Sequence, residues 1–176
     1  MKLREDRRAL HEIPELDRCL PETFAYLRNA LAGLNCRVFS PAPGSLCAWF
    51  DFGNAEAIAF RADCDALPIS EKTGAAYASR HPGRMHACGH DSHITMLLTA
   101  AKVLSEHRDE LHCTVKLFFQ PAEEGEFGAQ AVLETGLVND VNAFFGVHVW
   151  SPYRSGELRV SERGVAASTD MFTIAI

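Results

Sequence analysis

Nine residues constrain this chain more than any other stretch: Met85-His86-Ala87-Cys88-Gly89-His90-Asp91-Ser92-His93. They hold three imidazoles, a thiol and a carboxylate, with a glycine between the thiol and the middle imidazole. Cys88 and His90 are two apart, so a turning backbone can aim both at one point. A thiolate beside an imidazole suits zinc and its first-row neighbours. A polar loop with a buried free cysteine has the same composition, and two ligands are too few for a site. The other ligands must therefore come from elsewhere in the chain. The stretch also opens a helix, capped by Asp91 or Ser92. Ile94, Leu97, Leu98, Ala101 and Leu104 form its buried face. The helix dipole favours a thiolate or a bound anion at that end.

Strand ends supply more candidates. Val38 to Phe39, Leu46 to Phe52 and Ala57 to Ala62 read as strands. Ala57-Ile58-Ala59-Phe60 is apolar on both sides, as in a sheet covered by helices. This strand runs out at Asp63 and Asp65. The carboxyl end of a buried strand is where α/β sheets place active sites, and aspartate is equally at home in a turn. Cys113 to Phe119 is another strand and leads into Gln120-Pro121-Ala122-Glu123-Glu124-Gly125. Adjacent carboxylates point in different directions. One can bind a cation, whose charge keeps it ionised, while the other faces water or substrate as a general base. Two solvated loop glutamates are the ordinary reading of such a pair, less attractive at the end of an apolar strand. Ala143 to Trp150 alternates as a strand, with His148 on the side of Phe144 and Gly146. A lone histidine on a strand is more often a core side chain. Here it completes a series of strand end, helix start, strand end and strand.

The rest of the chain frames these groups. Residues 3–13 read as a helix stopped by Pro14, and Arg7, Arg8 and His11 are expected on its solvated face. Pro21 opens a second helix, in which Phe24, Leu27, Leu31 and Leu34 recur as core positions. Glu71 to Arg84 is a polar loop. Gly128 to Glu134 is a short helix closed by Gly136, and Leu158 to Val160 and Met171 to Ile176 look like further strands. A length of 176 residues suits one domain with a sizeable core. The net charge of −6 leaves no basic excess for phosphates, so nucleic acid is excluded as a partner. No apolar run reaches the length of a membrane span. The charged N-terminus lacks the apolar centre of a signal peptide. The six scattered cysteines are expected as reduced thiols of a cytoplasmic protein.

Five segments together resemble the amidohydrolase branch of the co-catalytic, two-metal metallopeptidases. That branch includes hippurate hydrolase, N-acyl-amino-acid amidohydrolase and the hydrolases of indole-acetyl amino acids. The segments are Arg8 to Leu16, Arg61 to Pro68, Met85 to His93, Phe119 to Gly125 and Gly146 to His148, in the family's order over nearly the whole chain. Cys64 stands where the family usually has methionine, a mild change in an apolar slot. The resemblance implies an α/β fold in three layers, a mixed and mostly parallel sheet flanked by helices. It implies two divalent ions, zinc or manganese. Cys88 would bridge them as a thiolate, with His90, Glu124 and His148 as the other ligands. Glu123 would be the base, Asp65 would hold a ligand in orientation, and His93 would support the helix start. The implied substrate is a small N-acyl amino acid, cleaved to a carboxylate and a free amino acid. In this reading residues 1–166 are the N-terminal part of the catalytic domain, and 167–176 are the first strand of a lid through which a homodimer could form. The rest of the lid and one metal-binding histidine would then lie outside the chain. The alternative expectation is accordingly a truncated metal-binding fragment without turnover.

Overall fold

A seven-residue strand, buried along its whole length, runs through the middle of the sheet and sets the layering of the protein. The computed structural model describes residues 2–52, 56–125 and 127–161. Its elements are α1 (Leu3–His11), α2 (Pro21–Leu31), β1 (Arg37–Phe39), β2 (Leu46–Phe50), β3 (Ala57–Asp63), α3 (His90–Glu106), β4 (Thr114–Gln120), α4 (Gly128–Leu133) and β5 (Val141–Gly146). The central strand is β4, in a sheet ordered β1-β2-β4-β3-β5. β2 is antiparallel to both of its neighbours, whereas β3 is parallel to β4 and to β5. Four strands thus point one way and β2 opposes them, which is the mixed, mostly parallel sheet expected.

Strand alternation divides the core. On one face Leu46, Ala48, Phe50, Ala62, Val115, Leu117 and Phe119 pack under the helices through Leu10, Leu27, Leu31, Ile94, Leu98 and Ala101. Each fully buried Leu or Ile there contributes roughly 1.5–3 kcal/mol. On the other face Cys47, Ala59 and Phe118 meet Val132 of α4. Lys116 also points to this second face and is buried. Its Nζ donates to the Leu137 carbonyl at 2.8 Å and to Asp140 Oδ1 at 2.5 Å, above the Trp49 ring. Nothing in the local pattern of β4 announces a buried lysine, and its partner Asp140 stays exposed. All six cysteines are free thiols. Among the described residues no helix is long and apolar enough to cross a membrane.

Several boundaries differ from the sequence reading. α1 ends at His11, two residues early. α3 begins at His90 behind Gly89, whose φ of 89° is left-handed, and no side chain caps it. Asp91 and Ser92, the expected caps, lie inside the first turn. β5 stops at Gly146, so His148 sits beyond the strand instead of on it. Leu158 and Val160 are 80% and 90% exposed and in no strand. Their alternation meets no neighbouring strand among the described residues. The strand expected at Met171 to Ile176 lies outside the described residues, as does the lid boundary at 167.

Candidate metal centre

Parallel pairing of β3 with β4 sets Asp63 opposite Gln120. The segments that follow, Asp63 to Asp65 and Glu123 to Glu124, therefore leave the same end of the sheet side by side. Asp65 ties them together. Its Oδ1 accepts the Glu123 N–H at 3.0 Å and its Oδ2 the Glu124 N–H at 3.1 Å. The turn between strand and glutamates is tight, with Ala122 buried at a left-handed φ of 52°. The start of α3 completes the site from the side.

His90 lies at its centre, with a side chain 1% exposed. Its Nε2 is 3.6 Å from Glu124 Oε1, 3.8 Å from Glu123 Oε2 and 3.7 Å from Asp63 Oδ2. Its Nδ1 is 3.7 Å from Asp65 Oδ1. All of these exceed hydrogen-bond length, and neither ring nitrogen has a hydrogen-bond partner. A buried imidazole without partners is costly. Donors that share a tetrahedral zinc ion lie about 3.3–3.6 Å apart, close to the spacing here. Three groups of donor atoms lie within 4.8 Å of one another: Cys88-His90-His148, His90-Glu123-Glu124 and Asp63-His90-His93. Thiol, imidazole and carboxylate together fit a borderline-soft cation such as zinc.

The hydrogen bonds narrow the donor set. His148 Nδ1 donates to the Val149 carbonyl at 2.6 Å, which leaves Nε2 as the acceptor nitrogen facing Cys88 Sγ at 3.4 Å. His93 is fully engaged. Its Nδ1 donates to Asp63 Oδ1 at 2.6 Å, and its Nε2 accepts the Val149 N–H at 2.9 Å. The six residues singled out from the sequence (Asp65, Cys88, His90, Glu123, Glu124 and His148) thus converge around one imidazole.

The electrostatics follow from burial and crowded carboxylates. Burial pushes the Cys88 thiol up to about 12, and Glu124, Glu123 and Asp63 add to the shift. Burial also raises the Glu123 carboxyl, helped by the charges of Asp63 and Glu124. For Asp63, burial works upward too, but the His93 hydrogen bond and the charges of His90 and Arg61 overcome it and hold the group at about 2. Arg61 Nη1 donates to Asp63 Oδ2 at 2.8 Å and its Nε to Gln120 Oε1 at 2.8 Å. From the sequence, Asp63 stood with Asp65 at a strand end suited to an active site or to a turn, and Arg61 had no role. Arg61-x-Asp63 places both side chains on one face of a strand, a signal that was present.

The N-terminal helix holds a larger surprise. His11, expected on a solvated face with Arg7, is 3% exposed. Its Nδ1 is 2.7 Å from Asp91 Oδ2 and its Nε2 3.2 Å from Glu71 Oε1, while Arg7 Nε lies 2.9 Å from the same Asp91 oxygen. The expectation of solvation holds for Arg8, which stays exposed above the Tyr77 ring, and fails for His11. Partners 60 and 80 residues away in the chain drew it inward. His86, beside His11, is also buried, and neither of its ring nitrogens has a partner. Burial lowers it to about 4 and keeps it neutral.

The chain is similar to known proteins along nearly its whole length. The chain is 43% identical over 171 residues to an IAA-amino acid hydrolase ILR1-like 5 of Arabidopsis thaliana, covering 97% of this chain and 39% of the relative. It is 41% identical over 172 residues to an N-acetyl-L-cysteine deacetylase of Bacillus subtilis, covering 97% and 41%. Among solved structures it matches the Bacillus subtilis YxeP protein, described as a dinuclear metal-binding peptidase. The TM-score is 0.79 at 41% identity, over 84% of this chain and 42% of that one. The chain therefore spans about two fifths of the length of these relatives. Residues 59–165, which contain all six converging residues, match the family profile described as peptidase family M20/M25/M40, and the chain belongs to that family.

Proposed function

We propose that the protein is a metal-dependent amidohydrolase that splits N-acyl amino acids into a carboxylate and a free amino acid. The observation that carries this reading is His90, buried without hydrogen bonds and ringed by the carboxylates of Asp63, Asp65, Glu123 and Glu124. The substrate class rests on the names of the relatives, an IAA-amino acid hydrolase and an N-acetyl-L-cysteine deacetylase. Cys88, His90, Glu124 and His148 would hold two divalent cations, zinc or manganese. When bound, such ions lower the pKa of water and polarise an amide carbonyl.

The remaining work falls to the chain itself. The Glu123 side chain is 40% exposed, more than that of Glu124, and reaches the open side of the site. Its carboxylate takes the proton of the attacking water and passes it to the leaving nitrogen. Asp65 holds the Glu123 and Glu124 backbone, and so keeps the base and the ligand side by side. Asp63, braced by Arg61 and His93, faces His90 from β3. His148 is kept in one tautomer by Val149. Cys88 loses its proton when it becomes a ligand, so metal affinity rises with pH. Residues 1–166 are read as part of the catalytic domain, with a lid opening at 167.

The test pairs Glu123→Gln with metal analysis and an assay on N-acetyl and N-benzoyl amino acids. Wild-type turnover should stop on chelation. The variant should retain its metal and lose turnover by about 10²–10⁴-fold. Near-normal turnover in Glu123→Gln would remove the base assignment. A wild-type protein that binds metal and cleaves none of these amides would leave a binding domain in place of an enzyme.

A further inference from the structure

We propose that His11 is a positioning residue for the metal centre: it bridges Asp91 and Glu71 and so locks the first turn of α3, from which His90 projects. The proposal rests on the metal-centre reading above. It starts from a gap in the site. His90 has no hydrogen bond at either ring nitrogen, and no side chain caps the helix on which it sits. Imidazole ligands are ordinarily oriented by a hydrogen bond from the second ring nitrogen. Here the anchoring belongs to the next residue in the chain. Asp91 Oδ2 receives His11 Nδ1 at 2.7 Å and Arg7 Nε at 2.9 Å, and Asp91 Oδ1 receives the Ser92 N–H at 2.8 Å.

His11 is the point where three segments meet. An ionised carboxylate only accepts hydrogen bonds. His11 faces one at each nitrogen, so it donates from both. Glu71 is itself held, because its Oε2 accepts the Ser79 N–H at 2.6 Å and its Oε1 accepts the Thr73 hydroxyl. The loop from 71 to 79, helix α1 and the start of α3 thus share one buried imidazole. Shift that imidazole and Asp91 loses its clamp, one residue from a ligand.

The fold supplies its own control. The same two helices are joined a second time where Lys102 Nζ donates to Asp6 Oδ2 at 2.6 Å, with Tyr26 donating to Asp6 Oδ1. Lys102 lies twelve residues beyond His90, about 18 Å along α3. Cutting that bridge loosens the packing of α1 on α3 and leaves Asp91 untouched. A purely structural role for His11 would make the two cuts equivalent.

The experiment measures zinc affinity by competition with a chelator at fixed pH, alongside the melting temperature of the metal-free protein. Wild type, His11→Ala, Arg7→Met and Lys102→Met are compared. His11→Ala should weaken zinc binding by about 10–100-fold. Arg7→Met should weaken it less, and it carries the test if His11→Ala does not fold. Lys102→Met should lower the melting temperature and leave zinc affinity near that of wild type. The proposal is overturned if the folded His11 or Arg7 variant binds zinc like wild type, or if Lys102→Met weakens binding as much. Absence of zinc binding by the wild type is a different result, which overturns the metal-centre reading and the proposal with it.

Discussion

Asp63 shows how one residue is tuned by its setting. Its ordinary pKa is 3.8, and the folded value is about 2. Because the folded value is depressed, its ionised form stabilises the native state fully above about pH 4. That stabilisation drains away as the pH falls from about 4 towards 2. The shift corresponds to roughly 2 kcal/mol in the metal-free protein at neutral pH. Asp63→Asn should therefore flatten the loss of stability over this acid window, measured by urea unfolding of metal-free protein at a series of pH values. A variant with the same acid slope as wild type would show that Asp63 is not the group responsible. Asp65 is equally buried but does a different job, since its oxygens are spent on two backbone N–H groups. Two aspartates two residues apart in sequence thus divide the labour. Asp63 balances charge, and Asp65 shapes the turn that carries Glu123 and Glu124.

At the scale of elements, α3 is the part that joins core and site. Its apolar side, with Ile94, Leu98 and Ala101 fully buried, seats it on the sheet. Its first turn presents His90 and His93. What lets it begin there is Gly89. The backbone is left-handed at this residue, and a Cβ would lie 2.4 Å from Val149 Cγ2. Gly74 has a similar φ of 66° with nothing within 4 Å, so it isolates the backbone cost alone. Gly74→Ala should cost about 1–2 kcal/mol. Gly89→Ala should cost more than that in urea unfolding and also reduce zinc content, because Val149 and its neighbour His148 would be pushed from the site. Equal costs for the two variants would mean that the approach of Val149 does not constrain Gly89. β5 makes the complementary point. It ends at Gly146, and His148 reaches the site from the irregular segment beyond it, where His93 holds the Val149 N–H.

For the whole molecule, a cation bound by residues from α3, the β4 turn and the segment after β5 would link three distant parts of the chain. Binding to the native state alone raises stability by about 2.7 kcal/mol when free metal is one hundred times Kd. Zinc should therefore move the urea midpoint upward in wild type and leave it nearly unchanged in Cys88→Ala. An equal shift in both would place the stabilising ion elsewhere. The sequence alone carried much of this molecule. The order of strands and helices along the chain and the buried helix faces are legible, because local periodicity is a property of neighbouring residues, and the spacing of Cys88 and His90 marks that pair as candidate donors in the same way. Tertiary structure decided the rest. Only the parallel register of β3 and β4 lets Asp65 hold Glu123, 58 residues on. Only packing took His11 from an apparently solvated helix face to a buried clamp on Asp91, 80 residues away. Lys116 was buried in the same way, by an aspartate and a carbonyl beyond its own strand. The reason is physical: a charged side chain is buried when a partner offsets its desolvation, and the position of that partner is written in the fold and not in the neighbouring sequence.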